Sequence, residues 1–349
     1  MFPKINAMKN SKFVLALLLL LMSFVAVVNG ATPKIKVLII DGQNNHQWQE
    51  TTPRLKTILE NTGIFSVEVS TTPPGIGGVP SLPKNATPEQ IASHAQSVKE
   101  FNLARPARQA ESATLWAKWH PHFSDYDVLV SNYNGEDWPP DVRKEFEAFV
   151  KNGGGFVSYH AADNAFPNWP EYNEMIAVGG WNGRTEHSGS YLRLTNGVWS
   201  AQPSPGPSGN HGARHEFLVA ACAPDHPIMQ GLPPKWMHAQ DELYNRMRGP
   251  AKNVTVLASA VSDVTHVAEP MLMAINYGKG RVFHTTLGHD IQALNGLGFQ
   301  ITFARGTEWA ATGKVSLPPP ISGELPDDTT AAIRVLKEGG SNSAETRGR

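Results

Sequence analysis

The chain has 349 residues, 40% of them apolar and 17% charged, with nine Trp. That excludes global disorder, which needs low hydrophobicity and high net charge, and provides enough chain for one large domain or two small ones. Thirty basic against 31 acidic residues give a net charge of −1, so the composition carries no electrostatic footprint for nucleic acid.

Lys4, Lys9 and Lys12 precede an apolar run from 13 to 28, followed by Asn29-Gly30-Ala31. A basic start, a short apolar stretch and small residues at its exit describe a secretory signal peptide over 1–30, cut after Gly30. The run is shorter than the about 20 residues that span a bilayer. A periplasmic or secreted protein without a stable membrane anchor is expected, with an uncleaved anchor as the other reading. Cys222 is the only cysteine, which rules out an intramolecular disulfide or a Cys-type zinc finger. Its Ala-rich setting reads as a small buried position.

Residues 34–41 form a β-branched apolar run ending in Asp-Gly, the pattern of a buried parallel strand. A helix follows over 52–60, with Pro53 in its first turn, and then a strand over 65–69. Strand, helix and strand in that order form a βαβ unit and predict a parallel α/β sheet. Residues 71–125 interrupt the rhythm and read as an insertion with a helix from 88 to 101. The sheet resumes at 126–131. An amphipathic helix over 139–150 ends in Asn152-Gly153-Gly154-Gly155, a C-cap signal, before a strand over 156–160. Residues 161–210 read as loop, and 204–209 as an exposed one. Strands are expected at 216–220, 254–259 and 271–276. Gly278-Lys279-Gly280 turns the last of these into a hairpin with 281–287. A final helix covers 299–311, and the polar, Pro-rich tail from 317 to 349 is expected to be mobile.

Ligands of open α/β sheets bind at the carboxyl ends of the strands. Those ends carry Asp41, Asn44 and His46; then Asn134; then His160 and Asp163; and finally His289 and Asp290. The recurrence of His, Asn and Asp at successive ends makes them the candidate site. A second group lies in the loops, including His211, His215 and Asp241-Glu242. His with carboxylates is compatible with a divalent metal, and His211 and His215 are the candidate ligands, although no His-Glu-x-x-His motif is present. No phosphate loop and no Gly-x-Ser-x-Gly elbow occur, so the chemistry expected is acid–base work, with or without a metal.

Asp41-Gly42-Gln43-Asn44-Asn45-His46 and the run from Gly153 through Tyr159-His160-Ala161-Ala162-Asp163-Asn164 resemble the ThuA-like (trehalose utilisation) family. Asp225-His226-Pro227-Ile228, Gly231-Leu232-Pro233, Asp241-Glu242-Leu243-Tyr244, Tyr277-Gly278-Lys279-Gly280 and Leu287-Gly288-His289-Asp290 resemble it in the same order. The likeness covers 34–313. It implies a flavodoxin-like, class I glutamine amidotransferase-like α/β fold, a mostly parallel sheet flanked by helices. The amidotransferase cysteine is missing and His160 ends the corresponding strand, so glutaminase activity is not expected. The family is associated with sugar catabolism, including oxidised (3-keto) disaccharides, which implies a small carbohydrate as partner.

A ketone acidifies the neighbouring C–H, so a base such as His160 can start elimination of a glycosidic group, with His289 or Glu242 as the acid. Asp41, Asn44, His46, Asn134, Asp163 and Asp290 would hold substrate, and Trp48, Trp138, Trp169 and Trp181 are candidates to stack on sugar faces. A carbohydrate-binding module without activity and a metal-dependent hydrolase remain the competing readings.

Overall fold

The first apolar run forms strand β1 (Ile35–Asp41) in the computed structural model, which describes residues 33–337. The segment read as a signal peptide, 1–30, and the last part of the tail lie outside the described residues. After β1 come α1 (Trp48–Glu60), β2 (Phe65–Thr71), α2 (Pro88–Trp116), β3 (Val128–Ser131), α3 (Pro140–Lys151), β4 (Gly155–Tyr159) and α4 (Pro170–Ile176). The second half contains β5 (Ser190–Thr195), β6 (Val198–Gln202), β7 (Asn210–His211), β8 (His215–Ala221), β9 (Lys235–Asp241), β10 (Tyr244–Asn245), β11 (Arg248–Gly249), β12 (Val254–Val261), β13 (Ala268–Tyr277) and β14 (Gly280–Thr285). Helices α5 (Ile291–Leu294) and α6 (Leu297–Thr312) follow.

Nine strands make one sheet in the order β2-β1-β3-β4-β14-β13-β12-β8-β9. The five from β2 to β14 run parallel, and from β14 to β9 each pair is antiparallel. Each face is covered, which is why the parallel strands read as unbroken apolar runs. Val37 and Ile39 point to one core with Leu55, Leu59, Phe299 and Phe303, while Leu38 and Ile40 point to the other with Val142, Phe146 and Tyr172. Among the described residues, no helix is long and apolar enough to cross a membrane.

The parallel register sets the site. Ile40 pairs with Ser131, Ser131 with Ser158, and Thr285 with Tyr159. The strands therefore end level, and the loops carrying His46, Asn134, His160 and His289 leave from one edge of the sheet.

Several elements differ from the sequence expectation. Strand β9 was not anticipated, because its sequence mixes Lys, His, Gln and Asp with apolar residues, as an edge strand buried in part does. The stretch read as loop from 161 to 210 holds α4 and the strands β5 and β6, which form a small sheet with β11. Helix α2 runs on to Trp116, past Pro106, with Ser112 as its one buried residue. The tail expected to be mobile lies against α6 as far as it is described. Leu325 and Ala331 are buried, Ile333 bridges to Gly296, and the Arg334 carbonyl accepts from Gln300 Nε2 at 2.7 Å.

Candidate functional site

The loop after β1 is tied down by amides. Asn44 donates to Asn132 Oδ1 at 2.9 Å, and the Asn132 amide donates to Thr51 and Thr52 on α1, both at 3.0 Å. Asn45 and Asn134 bond reciprocally, through the Asn45 N–H to Asn134 Oδ1 at 3.1 Å and the Asn134 amide to Asn45 Oδ1. Asn44 Oδ1 also accepts from the His46 N–H, two residues on, at 2.9 Å, a local bond that suits a tight loop. These bonds hold His46 over the sheet edge.

His160 occupies the corner after β4 with φ of 44°, left-handed space that a residue with a Cβ rarely adopts. Its Nδ1 lies 2.7 Å from the Thr286 carbonyl. A carbonyl only accepts, so Nδ1 carries the proton and Nε2 presents a lone pair. That lone pair accepts from the Tyr244 hydroxyl at 2.9 Å. The ring is fully buried, and burial pushes its pKa down to about 4.

Asp241, at the end of β9, organises the opposite wall. Its Oδ1 accepts from the backbone N–H of Glu242 at 2.8 Å and of His289 at 3.0 Å. Its Oδ2 accepts from the N–H of Gly288 at 2.7 Å and faces His238 Nε2 at 2.8 Å. Asp241 is inaccessible, and burial alone would raise its pKa; the His238 bond and charge overcome that and lower it. One carboxylate thus fixes the main chain of two site residues that are far apart in sequence.

Glu242 sits at the centre. Its Oε1 lies 3.2 Å from His289 Nε2 and 3.6 Å from His211 Nε2, and its Oε2 lies 3.8 Å from His160 Nε2. Burial raises the Glu242 pKa, outweighing the neighbouring imidazoles. The His46 ring stands 4.8 Å from that of His160 and 4.7 Å from that of His289. Burial, and then the two neighbouring rings, push the His46 pKa down to about 3. Burial would lower that of His289 too, but the Asp290 hydrogen bond and the Glu242 charge raise it. Positive charge is therefore favoured on the His289 side and disfavoured at His46 and His160. His211 Nδ1 lies 2.8 Å from the Gly212 carbonyl, which places its proton there and turns the Nε2 lone pair towards Glu242.

These groups open on a cavity of about 340 Å³ lined by Asn45, His46, Asn134, Asn164, Trp181, Asn182, His211, Glu242 and Tyr244. A larger hollow of about 600 Å³ lies beside His122, Phe149 and Gly154, at the start of β4. We place the site at the smaller cavity, because convergent titratable groups mark a site better than volume does.

The structure brings His46, His160, Glu242 and His289 together, with Asn134 and His211 on the cavity wall. Asp290 is one step back, capping α5 through the N–H groups of Gln292 and Ala293 and bonded to Arg214. Asn44 supports the loop. Asp41 lies under the sheet edge, 2% exposed, accepting from Thr71 at 2.7 Å. Asp163 is fully buried against His284 Nε2 at 3.2 Å, and His215 packs on Phe217. Neither Asp41, Asp163 nor His215 lines the cavity. Of the four tryptophans considered for sugar stacking, Trp181 lines it, Trp48 at the start of α1 is not among its lining residues, and Trp138 and Trp169 are core residues. Sequence reasoning assigned no role to Tyr244, Asn182 or the Asp241 clamp. Tyr244 and Asp241 did stand in the Asp-Glu-Leu-Tyr string, the one signal that pointed to them.

The level strand ends and the mostly parallel sheet covered on both faces define the class: an α/β protein of the glutamine amidotransferase-like fold. The ThuA family, described as trehalose utilisation, matches residues 84–310, and the chain belongs to that family. It is similar to a ThuA-like protein from Parabacteroides merdae, with 39% identity over 86% of this chain and 98% of that one, and a TM-score of 0.72. A ThuA-like protein from Bacteroides uniformis is 17% identical over 81% of this chain and 94% of that one, with a TM-score of 0.48. No curated protein matches the chain.

Proposed function

We propose that the cavity converts an oxidised (3-keto) glycoside by proton transfer beside the ketone, in an exported protein of carbohydrate catabolism. The observation that carries this reading is the Glu242 carboxylate with imidazoles on three sides, opening on a hollow walled by Trp181 and four asparagines. Amides suit hydroxyls and an indole suits a sugar face. The link of the family to trehalose utilisation supports a sugar ligand. Lys4, Lys9, Lys12 and the apolar run from 13 to 28 support export.

In this mechanism His211 is the acid–base catalyst. Its Nε2 lone pair takes the proton from the carbon beside the ketone, and Glu242, 3.6 Å away, stabilises the imidazolium. The electrons of that C–H bond form a C=C bond to the anomeric carbon, whose glycosidic C–O bond breaks. The departing oxygen receives the proton back from His211, because the two bonds lie on adjacent carbons. The carbonyl oxygen faces His289, where positive charge is favoured, so the charge that develops on it is met. His46 and His160 are held neutral by burial and are poor bases. His160 acts as a positioning residue that orients the Tyr244 hydroxyl.

The test is turnover over a panel of 3-keto and unoxidised disaccharides. Release of the second sugar from the keto compounds alone is expected. His211→Ala should lower kcat by about 10²–10⁴ with the fold intact. Binding without turnover across the whole panel, or full activity in His211→Ala, overturns the proposal.

A further inference from the structure

We infer that His46, Glu242 and His289 form a binding site for one divalent transition-metal ion of the zinc type. The inference concerns the cavity described above but does not depend on the glycoside reaction. One ligand atom from each of the three lies within 4.8 Å of the others. The 3.2 Å between Glu242 Oε1 and His289 Nε2 matches the edge of a tetrahedron, about 3.3 Å for metal bonds of about 2.0–2.1 Å. Two imidazoles and one carboxylate suit a borderline cation, and three protein ligands leave a fourth position for water or a ligand oxygen. Here that position faces the cavity, since His46 and Glu242 both line it.

The surroundings fit a cation. Among the described residues, no hydrogen bond reaches either carboxylate oxygen of Glu242, although three imidazole nitrogens stand within 3.8 Å. His289 Nδ1 lies 3.5 Å from Asp290 Oδ2, the carboxylate–histidine pairing that orients a ligating ring. Arg214 Nη1 is also 3.3 Å from that nitrogen and is itself bonded to Asp290. An ion at Nε2 takes the place of the proton there, and Nδ1–H donates to Asp290. The Asp241 clamp holds the main chain of Glu242 and His289 in either state. His160 is not a ligand, because its free lone pair accepts from Tyr244. His215, one of the two histidines first considered as ligands, lies outside the cavity.

The experiment is calorimetric titration of chelator-stripped protein with Zn²⁺, without any sugar, alongside the visible spectrum of the Co²⁺-loaded protein. One ion per chain is expected, with the d–d bands of four-coordinate Co²⁺. His46→Ala and His289→Ala should each weaken binding at least 100-fold, while His215→Ala binds as the wild type does. Absence of stoichiometric binding overturns the inference, as does a six-coordinate water-like Co²⁺ spectrum, or equal loss in His215→Ala. Should the alanine variants fail to fold, the wild-type titration and spectrum decide alone. With the ion bound, its charge stands where the imidazolium of His289 stands without it; failure here leaves His289 as the imidazolium in the reaction above. Failure of the sugar panel leaves the metal site standing.

Discussion

Asp241 makes four polar contacts with no exposure to water, so its replacement reaches further than its own atoms. Asp241→Ala leaves three backbone N–H groups and His238 without an acceptor in a buried place. Removing one partner of such a set costs about 3–5 kcal/mol. The expected result is an unfolding free energy lowered by that amount, read as a lower urea midpoint at unchanged m, and loss of turnover even where the variant still folds. An unfolding free energy within about 0.5 kcal/mol of wild type would show that the clamp is not structural. Tyr244→Phe is the milder probe, since it frees the His160 lone pair and keeps the ring. It should lower kcat with a small effect on KM, which a purely packing role would not do.

At the scale of elements, contact between α6 and the sheet depends on missing side chains. A Cβ on Gly155 in β4 would meet the Ala310 backbone at 2.6 Å, and one on Gly306 would meet the Phe283 ring at 2.2 Å. Backbone cannot yield as a flexible side chain does, so Gly155→Ala should destabilise by about 1–3 kcal/mol in thermal unfolding. The segment between β8 and β9 carries a pH dependence. Burial lowers the His226 pKa to about 4, where its Nδ1 accepts from the Ile228 N–H and its ring packs on Trp309. The unfolded chain binds a proton at this residue below about 6.5 and the folded chain does not until about 4. This contribution is complete above the higher value and is lost as pH falls between the two. It amounts to about 1 kcal/mol, allowing for solvent screening at a half-buried site. His226→Asn should flatten the stability curve across that window, and an unchanged curve would assign the acid sensitivity elsewhere.

Over the whole molecule, the sheet and its strand ends were legible in the sequence because they follow from local pattern. β-branched runs, an Asn-Gly stop after a helix and a Gly-Lys-Gly turn each mark an element by residues close in the chain. The partners of the site were not legible in the same way. Glu242 meets His289 and His160 only when β9, β14 and β4 are brought together, and no spacing reports that. Asp41 and Asp163 read as strand-end ligands but end in buried bonds to Thr71 and His284, since sequence places a residue at an edge without saying which way it points. The tail misled for a related reason. Its polar composition hides Leu325 and Ala331, both buried, and its start is held by Glu308 of α6, whose carboxylate accepts from the Ser316 and Leu317 N–H groups. A chain ended at Leu317 should lose about 2–4 kcal/mol, on the scale of one or two buried apolar side chains, and keep its activity at low temperature. Unchanged stability would mean that the tail only rests on the surface.

The proposed reaction turns on a proton leaving the carbon beside a ketone in the cavity around Glu242. Proton NMR of a 3-keto disaccharide held with the protein in D₂O follows that event directly. The predicted result is that the C2 deuteron appears in recovered substrate, or C2 hydrogen is lost in product, with the wild type and not with His211→Ala. Turnover in which the C2 hydrogen stays in place throughout would contradict the account.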